Sequence, residues 1–247
     1  MITMDNFLRA DIQLHLIWVL LIALIYVVIH NFRDKKIMRT LDVILNYIPV
    51  LTHEFGHILF NKISGGRASD LVIVAKPSER RETGRQGFAV TYHRGRLNQI
   101  ITTVGGYFMP PLMLYLGFLL VNYQFPSFFI TAYLLIFAYF TLITSRKGIP
   151  FLIMVLLIAI LAFMLHKDSL VLMEYIVSVV QHYILGVLFG EVIQSTWTII
   201  HLTFSKHKTD WDGSALKSLT LLPTTTFSCI WVIANIYTLY LVARMYI

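Results

Sequence analysis

The sequence predicts an all-α polytopic membrane protein with about six to seven transmembrane helices and a small membrane-associated β-hairpin after the second span. Three observations predict this class. Of the 247 residues, 57% are hydrophobic and only 13% are charged, whereas a soluble domain carries about 25% charged residues. The apolar residues form successive runs, several of them close to the roughly 20 residues that a helix needs to cross a bilayer. One glycine-bearing basic segment between these runs has the character of strands.

The net charge and the single cysteine limit the possible functions. The net charge is +7, which basic loops facing the cytoplasm and anionic lipid explain without nucleic acid. We therefore expect the lipid bilayer as a partner and no nucleic acid. Cys229 has no second cysteine to pair with. A cysteine-type zinc site is excluded, so any zinc must have histidine and carboxylate ligands.

Residues 1–247 are predicted to form a single integral-membrane domain, because there is little room for a soluble domain beside the spans and no internal repeat is visible. The first span, 12–30, is expected to be peripheral to the core. The second span, 41–63, contains Pro49, which predicts a kink or a broken first turn. Further apolar segments follow at 97–121, 125–144, 149–165, 169–204 and 215–247.

The segment 64–97 differs from the rest of the chain because it combines five glycines with many basic residues. Two pieces of it, 71–74 and 87–92, have the composition of strands, and the polar stretch 76–85 separates them. This pattern predicts a β-hairpin at the membrane surface. A disordered basic loop is the alternative.

The basic loops predict an orientation and also expose a conflict. Lysines and arginines are concentrated in 62–96, at 146–147 and at 206–208. If each span crosses once, these three loops lie on one side, which should be the cytoplasm. The link 31–39 then falls on the opposite side with four basic residues. Either the second span does not cross fully, or this link violates the rule.

The second span contains the sequence His53-Glu54-Phe55-Gly56-His57, which matches the pattern His-Glu-x-x-His. Residues four apart share one face of a helix, so His53 and His57 can both reach one metal ion. Glu54 occupies the position of the general base in zinc proteases. A hydrogen-bonded core residue is the alternative for each histidine alone. Ionisable groups in a membrane segment are costly and usually functional, which favours a metal site.

A catalytic zinc typically has three protein ligands and a water, so a third ligand must come from elsewhere. Candidates in apolar context are Glu174, His182, Glu191, His201, Asp210 and Asp212. The stretch Thr209-Asp210-Trp211-Asp212-Gly213 opens the last apolar segment, and a carboxylate followed by glycine would let the backbone approach a metal. A helix N-cap or a surface turn is the alternative there. Some of the polar residues of 169–204 could instead line a water path to the metal.

The motifs together resemble the site-2 protease family of intramembrane zinc metalloproteases, and most closely its small bacterial members without a soluble regulatory domain. The resemblance covers roughly residues 45–235 and does not include the first span. It implies that Asp212, rather than Asp210, is the third metal ligand. The residues that carry it, besides the histidine motif, are Gly65-Gly66-Arg67, the segment 84–92, Gly105-Gly106-Tyr107 before Pro110-Pro111, and Asp212, Leu216, Leu219 and Thr220.

The sequence departs from the family pattern at two places. Larger members have an asparagine after a Gly-Pro pair in the span that follows the hairpin, whereas this chain has Gly105-Gly106-Tyr107 and no asparagine. They also have an asparagine shortly before the aspartate, where this chain has Lys206, His207 and Lys208. The group that stabilises the oxyanion is therefore not identified. Gly105 and Gly106 are interpreted as sites of close helix packing.

The resemblance implies a zinc-dependent intramembrane endopeptidase that hydrolyses peptide bonds in or next to transmembrane segments of membrane proteins or signal-peptide remnants. Glu54 would be catalytic, with His53, His57 and Asp212 as metal ligands. A transmembrane substrate must unwind before hydrolysis, and a strand edge could hold it by β-augmentation. The residues predicted to bind it are Gly87, Phe88, Ala89 and Val90.

Location and alternative functions follow from the same observations. We expect a bacterial cell membrane, with the active site opening toward the cytoplasm. One alternative is a non-proteolytic zinc-binding assembly or interaction protein on the same scaffold. A transporter or channel would need polar residues along several spans, and the spans 125–144 and 149–165 offer few.

Overall fold

The computed structural model describes residues 7–8, 10–167, 169–206 and 210–246. Its elements, in chain order, are α1 Leu16–Asn31, α2 Lys36–Leu45, α3 Tyr47–Ile63, β1 Arg67–Ile73, α4 Pro77–Thr83, β2 Gly87–Tyr92, α5 Arg96–Asn122, α6 Pro126–Ile143, α7 Gly148–Lys167, α8 Leu170–Phe204, α9 Asp212–Thr220 and α10 Thr224–Tyr246. The helices form a bundle, and the two strands pair beside α3. The predicted fold class is confirmed.

The number of spans is lower than predicted. In the described part of the chain, α5, α6, α8 and α10 are long and apolar enough to cross a membrane, while α1 and the apolar part of α7 are shorter. The predicted second span is divided into α2 and α3, which meet at Asn46. Pro49 is the third residue of α3, where proline fits the first turn of a helix. The predicted last apolar stretch is likewise divided into α9 and α10.

The first helix is packed into the bundle and is not peripheral to it. Val19, Ala23 and Tyr26 of α1 are buried. They lie against α8, where a Cβ added at Gly186 would come within 2.5 Å of Ile22 and one at Gly190 within 2.6 Å of Tyr26. The two glycines therefore let α1 approach α8 closely.

Helices α3 and α5 also cross at glycines. A Cβ added at Gly56 would lie 2.5 Å from the carbonyl oxygen of Gly105, and one at Gly105 would lie 2.8 Å from that of Gly56. Larger residues at either position would push the helices apart. This packing, which the sequence predicts for Gly105, fixes the motif helix against α5.

The two strands pair antiparallel, with Arg67 opposite Tyr92 and Ile73 opposite Gly87. The predicted pairing is confirmed, although β1 begins four residues earlier than expected. The connection is not the predicted polar turn, because it contains helix α4. Pro77 lies at the first position of α4 and Gly84 follows it with φ 68°, which are the residues that favour a helix start and stop.

The basic link 31–39 lies beside α4 rather than on the opposite face of the protein. Arg33 and Arg39 line one pocket together with Arg80 and Arg81 of α4. The link and α4 therefore lie on one face, which is the arrangement expected if the second span does not cross fully.

The basic loop after α6 lies on the same face as α4. Arg146 donates to both carboxylate oxygens of Glu79 at 2.8 and 2.6 Å, and these hydrogen bonds lower the pKa of Glu79. The third basic loop includes His207 and Lys208, which lie outside the described residues.

Candidate metal centre

His53 and His57 lie one turn apart on α3 and point to the same place. Their Nε2 atoms are 3.2 Å apart, and the two rings stand nearly perpendicular, with an interplanar angle of 81°. Helical spacing alone therefore brings two nitrogen donors together, as the sequence predicts.

Asp212 completes a group of three donors. Its Oδ2 lies 3.5 Å from His53 Nε2 and 3.4 Å from His57 Nε2. A tetrahedral zinc ion with bonds of about 2.0–2.1 Å separates its ligand atoms by about 3.3 Å. The three observed separations agree with this value, so the donor set fits zinc in number, type and spacing.

Two features of α5 orient the histidine rings so that their Nε2 atoms can bind a metal. The Nδ1 of His57 donates to the carbonyl oxygen of Thr102 at 2.9 Å, which leaves Nε2 with its lone pair free and fixes the ring. A Cβ added at Gly106 would lie 2.4 Å from His57 Nε2 and 2.8 Å from His53 Nε2. Sequence reasoning missed Thr102, because its backbone carbonyl leaves no signature in the sequence, and assigned Gly106 only to helix packing.

Asp212 is positioned by the start of α9. The backbone N–H of Trp211 donates to the hydroxyl of Ser214 at 3.0 Å, which secures the first turn. A Cβ added at Gly213 would lie 2.5 Å from the Trp211 ring, so this glycine makes room for tryptophan and not for a metal. Trp211 in turn packs near Trp231, with ring centroids 6.0 Å apart. An aromatic cluster thus anchors the third donor.

Glu54 is buried beside the histidines, with 8% of its surface exposed. Glu54 lines both the front cavity and the rear cavity described below, and Gly87 of β2 lines both of them with it. A Cβ added at Gly87 would lie 3.1 Å from Glu54 Cγ. Strand β2 therefore runs directly past the carboxylate that the sequence predicts as the general base.

A front cavity of about 340 Å³ lies between the three donors and β2. Of the four predicted substrate residues, Gly87, Phe88 and Ala89 line it and Val90 does not. Asp210 also lines this cavity but is not part of the donor group. Among the other candidate ligands, Glu174, His182, Glu191 and His201 are outside that group.

A rear cavity of about 170 Å³ lies on the other side of His53 and Glu54. It is bordered by Tyr107 of α5 and by Glu191 and Gln194 of α8. The hydroxyl of Tyr26 lies between the carboxylate of Glu191 and the Oδ1 of Asn46, the latter at 2.6 Å. Polar residues of 169–204 thus reach the site, as one interpretation of the sequence expects. Sequence reasoning missed Tyr26 and Tyr107, because nothing in the sequence distinguishes them from aromatic residues that only pack in the core.

A comparison with protein-family models identifies the family of this chain. No curated protein and no solved structure matches the chain. The family model described as Peptidase M50B-like matches residues 17–242. The match includes α1, which the resemblance seen in the sequence does not cover. The protein therefore belongs to the Peptidase M50B-like family, a membrane metalloprotease family of the site-2 protease kind.

Proposed function

We propose that the protein is a zinc-dependent intramembrane endopeptidase that hydrolyses peptide bonds in or next to transmembrane segments. The observation that carries this proposal is the convergence of His53, His57 and Asp212 beside the buried Glu54, in a cavity bordered by a strand.

His53, His57 and Asp212 would hold the zinc ion. Zinc bound by such a set lowers the pKa of a coordinated water and polarises a carbonyl oxygen. Thr102 keeps His57 in the tautomer that can bind metal. Gly106 leaves the space into which the two imidazoles project.

Glu54 would act as the general base and acid. Its carboxylate would take a proton from the attacking water and pass it to the leaving amine. The residue lines both the front and the rear cavity, so water and a peptide can approach it from different sides. The close approach of Gly87 to Glu54 places the carboxylate beside β2.

The substrate would bind as an extended segment along β2. Gly87, Phe88 and Ala89 border the front cavity, and Val90 continues the same strand. An unwound peptide here would gain backbone hydrogen bonds that replace those of its helix. Because Gly87 has no side chain, β2 can lie close to Val50 and Glu54 of α3.

The active site is proposed to open toward the cytoplasm of a bacterial cell. The link 31–39, α4 and the loop at Arg146 carry basic residues on one face. Basic segments of short loops face the cytoplasm in most membrane proteins.

The Glu54→Gln substitution tests the proposal. We expect proteolysis to fall by about 100-fold or more, which is the contribution of a general acid–base group, while zinc and fold are retained. Membrane fractions of cells expressing wild type and variant are compared by quantitative proteomics for new protein termini and for uncut precursors. Glu174→Gln is the matched control, since Glu174 lies on α8 outside the donor group.

Two results would separate the possible functions. Accumulation of an uncut membrane protein in the Glu54→Gln cells, but not in the Glu174→Gln cells, supports the protease. Identical termini in all three strains, with zinc still bound to the purified variant, would contradict it and favour a zinc-bearing assembly protein.

A further inference from the structure

A second polar pocket, here called the arginine pocket, lies beside α4 and shares Gln86 with the rear cavity. Four arginines, Arg33, Arg39, Arg80 and Arg81, and two aspartates, Asp34 and Asp42, line this pocket of about 170 Å³. The arginines come from two segments that are distant in sequence, so the fold gathers positive charge here.

The two carboxylates in the pocket balance only part of the charge of the four arginines. Asp42 accepts hydrogen bonds from His30 at 2.8 Å and Asn46 at 3.1 Å, so it is directed into the protein. Only Asp34 remains to balance the guanidinium groups of Arg39 and Arg81, and its backbone carbonyl, not its carboxylate, accepts from Arg39 at 2.7 Å.

Arg80 adds a buried guanidinium group whose hydrogen bonds are incomplete. Its side chain is 7% exposed. Its Nε donates to the carbonyl oxygen of Val74 at 2.6 Å, but neither Nη atom has a hydrogen-bond partner among the described residues. The nearest carboxylate oxygen, Asp42 Oδ2, is 3.6 Å from Nη1. Buried guanidinium groups are normally satisfied, and phosphate is a strong partner of arginine, so Arg80 adds unsatisfied donors to the positive charge of the exposed arginines.

A large apolar groove adjoins the arginine pocket. The groove has a volume of about 610 Å³ and lies between α2, α6, α7 and α8. Pro77 lines both the groove and the pocket. On α2, Thr40 and Val43 line the groove while the neighbouring Arg39 and Asp42 line the pocket. The two spaces therefore form a continuous surface that is basic at one end and apolar at the other.

We propose that this surface binds one anionic phospholipid, with its phosphate in the arginine pocket and an acyl chain in the groove. An isolated phosphate would use only the basic end, and a neutral lipid only the apolar end. The combination selects an amphiphile with a negative headgroup, and Lys and Arg near a membrane surface attract anionic lipids. The lining contains none of the three metal donors, and lipid binding does not depend on proteolysis.

Native mass spectrometry of the detergent-purified full chain tests the proposal with three probes. These are phosphatidylglycerol, phosphatidylcholine of the same chain length, and inorganic phosphate. We expect one phosphatidylglycerol to be retained, with an affinity at least about ten-fold higher than that of phosphatidylcholine. Equal retention of the two lipids, or inorganic phosphate binding as tightly as phosphatidylglycerol, would overturn the proposal.

Variants at each end of the surface distinguish the contribution of the lipid headgroup to binding from that of the acyl chain. The double substitution Arg39→Gln and Arg81→Gln should lower the affinity for phosphatidylglycerol about ten-fold or more. Arg80 stays unchanged because its buried side chain supports the fold. The matched control is Arg67→Gln with Arg94→Gln, at the other end of the sheet, and it should bind as wild type does.

A substitution in the groove completes the test. Ile153→Trp fills the groove, because Ile153 lines it but not the arginine pocket. It should weaken phosphatidylglycerol binding without changing zinc content or thermal stability by more than the control does. Unchanged lipid binding in both the arginine double variant and the groove variant, with the fold intact, would refute the site.

Discussion

The protein contains two buried polar clusters that share residue types but differ in how those residues meet. The metal centre consists of His53, His57 and Asp212. The second cluster, here called the Tyr26 network, consists of Tyr26, His30, Asp42, Asn46 and Glu191. Each contains histidine and aspartate, and each lies between helices that are far apart in sequence.

The hydrogen bonds distinguish the two clusters. In the metal centre, the Nε2 atoms of both histidines and the Oδ2 of Asp212 face one another at 3.2–3.5 Å. In the Tyr26 network donors meet acceptors: the Nδ2 of Asn46 lies 3.1 Å from Asp42 Oδ1, and His30 Nδ1 lies 2.8 Å from the same atom. Facing lone pairs need a cation between them, whereas the carboxylate of Asp42 is satisfied by N–H donors.

The largest expected effect is the loss of zinc from an Asp212→Asn variant. An amide supplies no negative charge to a cation, so bound zinc should fall by about 100-fold or more, beyond the 10–100-fold effect of outer-shell residues. Asp42→Asn should keep its zinc, because its carboxylate serves hydrogen bonds. Elemental analysis of the purified proteins measures both.

Asp210→Asn is the local control for this comparison. Asp210 lines the front cavity without belonging to the donor group, so this variant should also keep its zinc. Loss of zinc from Asp210→Asn with retention in Asp212→Asn would assign the third ligand to Asp210. Loss from Asp42→Asn in a folded protein would show that the two clusters are not independent.

The second expected effect concerns the glycine against which the histidines pack. Gly106→Ala places a methyl group within 2.4 Å of His57 Nε2, so the imidazoles must move and zinc affinity should fall at least about ten-fold. Gly148→Ala is the matched control, since a Cβ there meets nothing within 4 Å. Zinc titration of the two apoproteins compares them.

The outcome for Gly106 also tests the fold around the site. If Gly106→Ala binds zinc as tightly as Gly148→Ala does, the histidines do not occupy the positions seen beside α5. If both substitutions weaken zinc equally, the effect belongs to general destabilisation and not to the histidine pair.

The part of the metal centre that depends on local helix geometry could be predicted from the sequence. The spacing of His53 and His57 places both on one face of any helix, so tertiary structure is not needed to pair them. Asp212 lies far along the chain, and sequence reasoning from residue types left it among six candidates until the family resemblance selected it. The strand at Gly87–Tyr92 was predictable from its composition, whereas its position against Glu54 was not.

The Tyr26 network was not predictable, because its residues have ordinary roles when considered singly. In the sequence, Tyr26 is one aromatic residue within the apolar first span, which was expected to be peripheral. Asn46 divides α2 from α3 and also bonds Asp42, but the sequence pointed to Pro49 as the break. Helix α4 was missed because seven residues with Pro77 and Gly84 at its ends also fit a polar turn. In each case tertiary contacts decide between local alternatives.

The smallest expected effect is that of Tyr26→Phe, which removes one hydroxyl from the network and keeps the ring. The substitution leaves Asn46 Oδ1 and Glu191 without that partner in a buried position, so the free energy of unfolding should fall by about 1–3 kcal/mol. Zinc content should not change. Denaturant titration in detergent measures the stability, and Tyr237→Phe is the matched control because Tyr237 is exposed. A Tyr26→Phe variant that is as stable as the control but has lost zinc would show that the hydroxyl serves the metal centre, and the separation between the two clusters would then have to be abandoned.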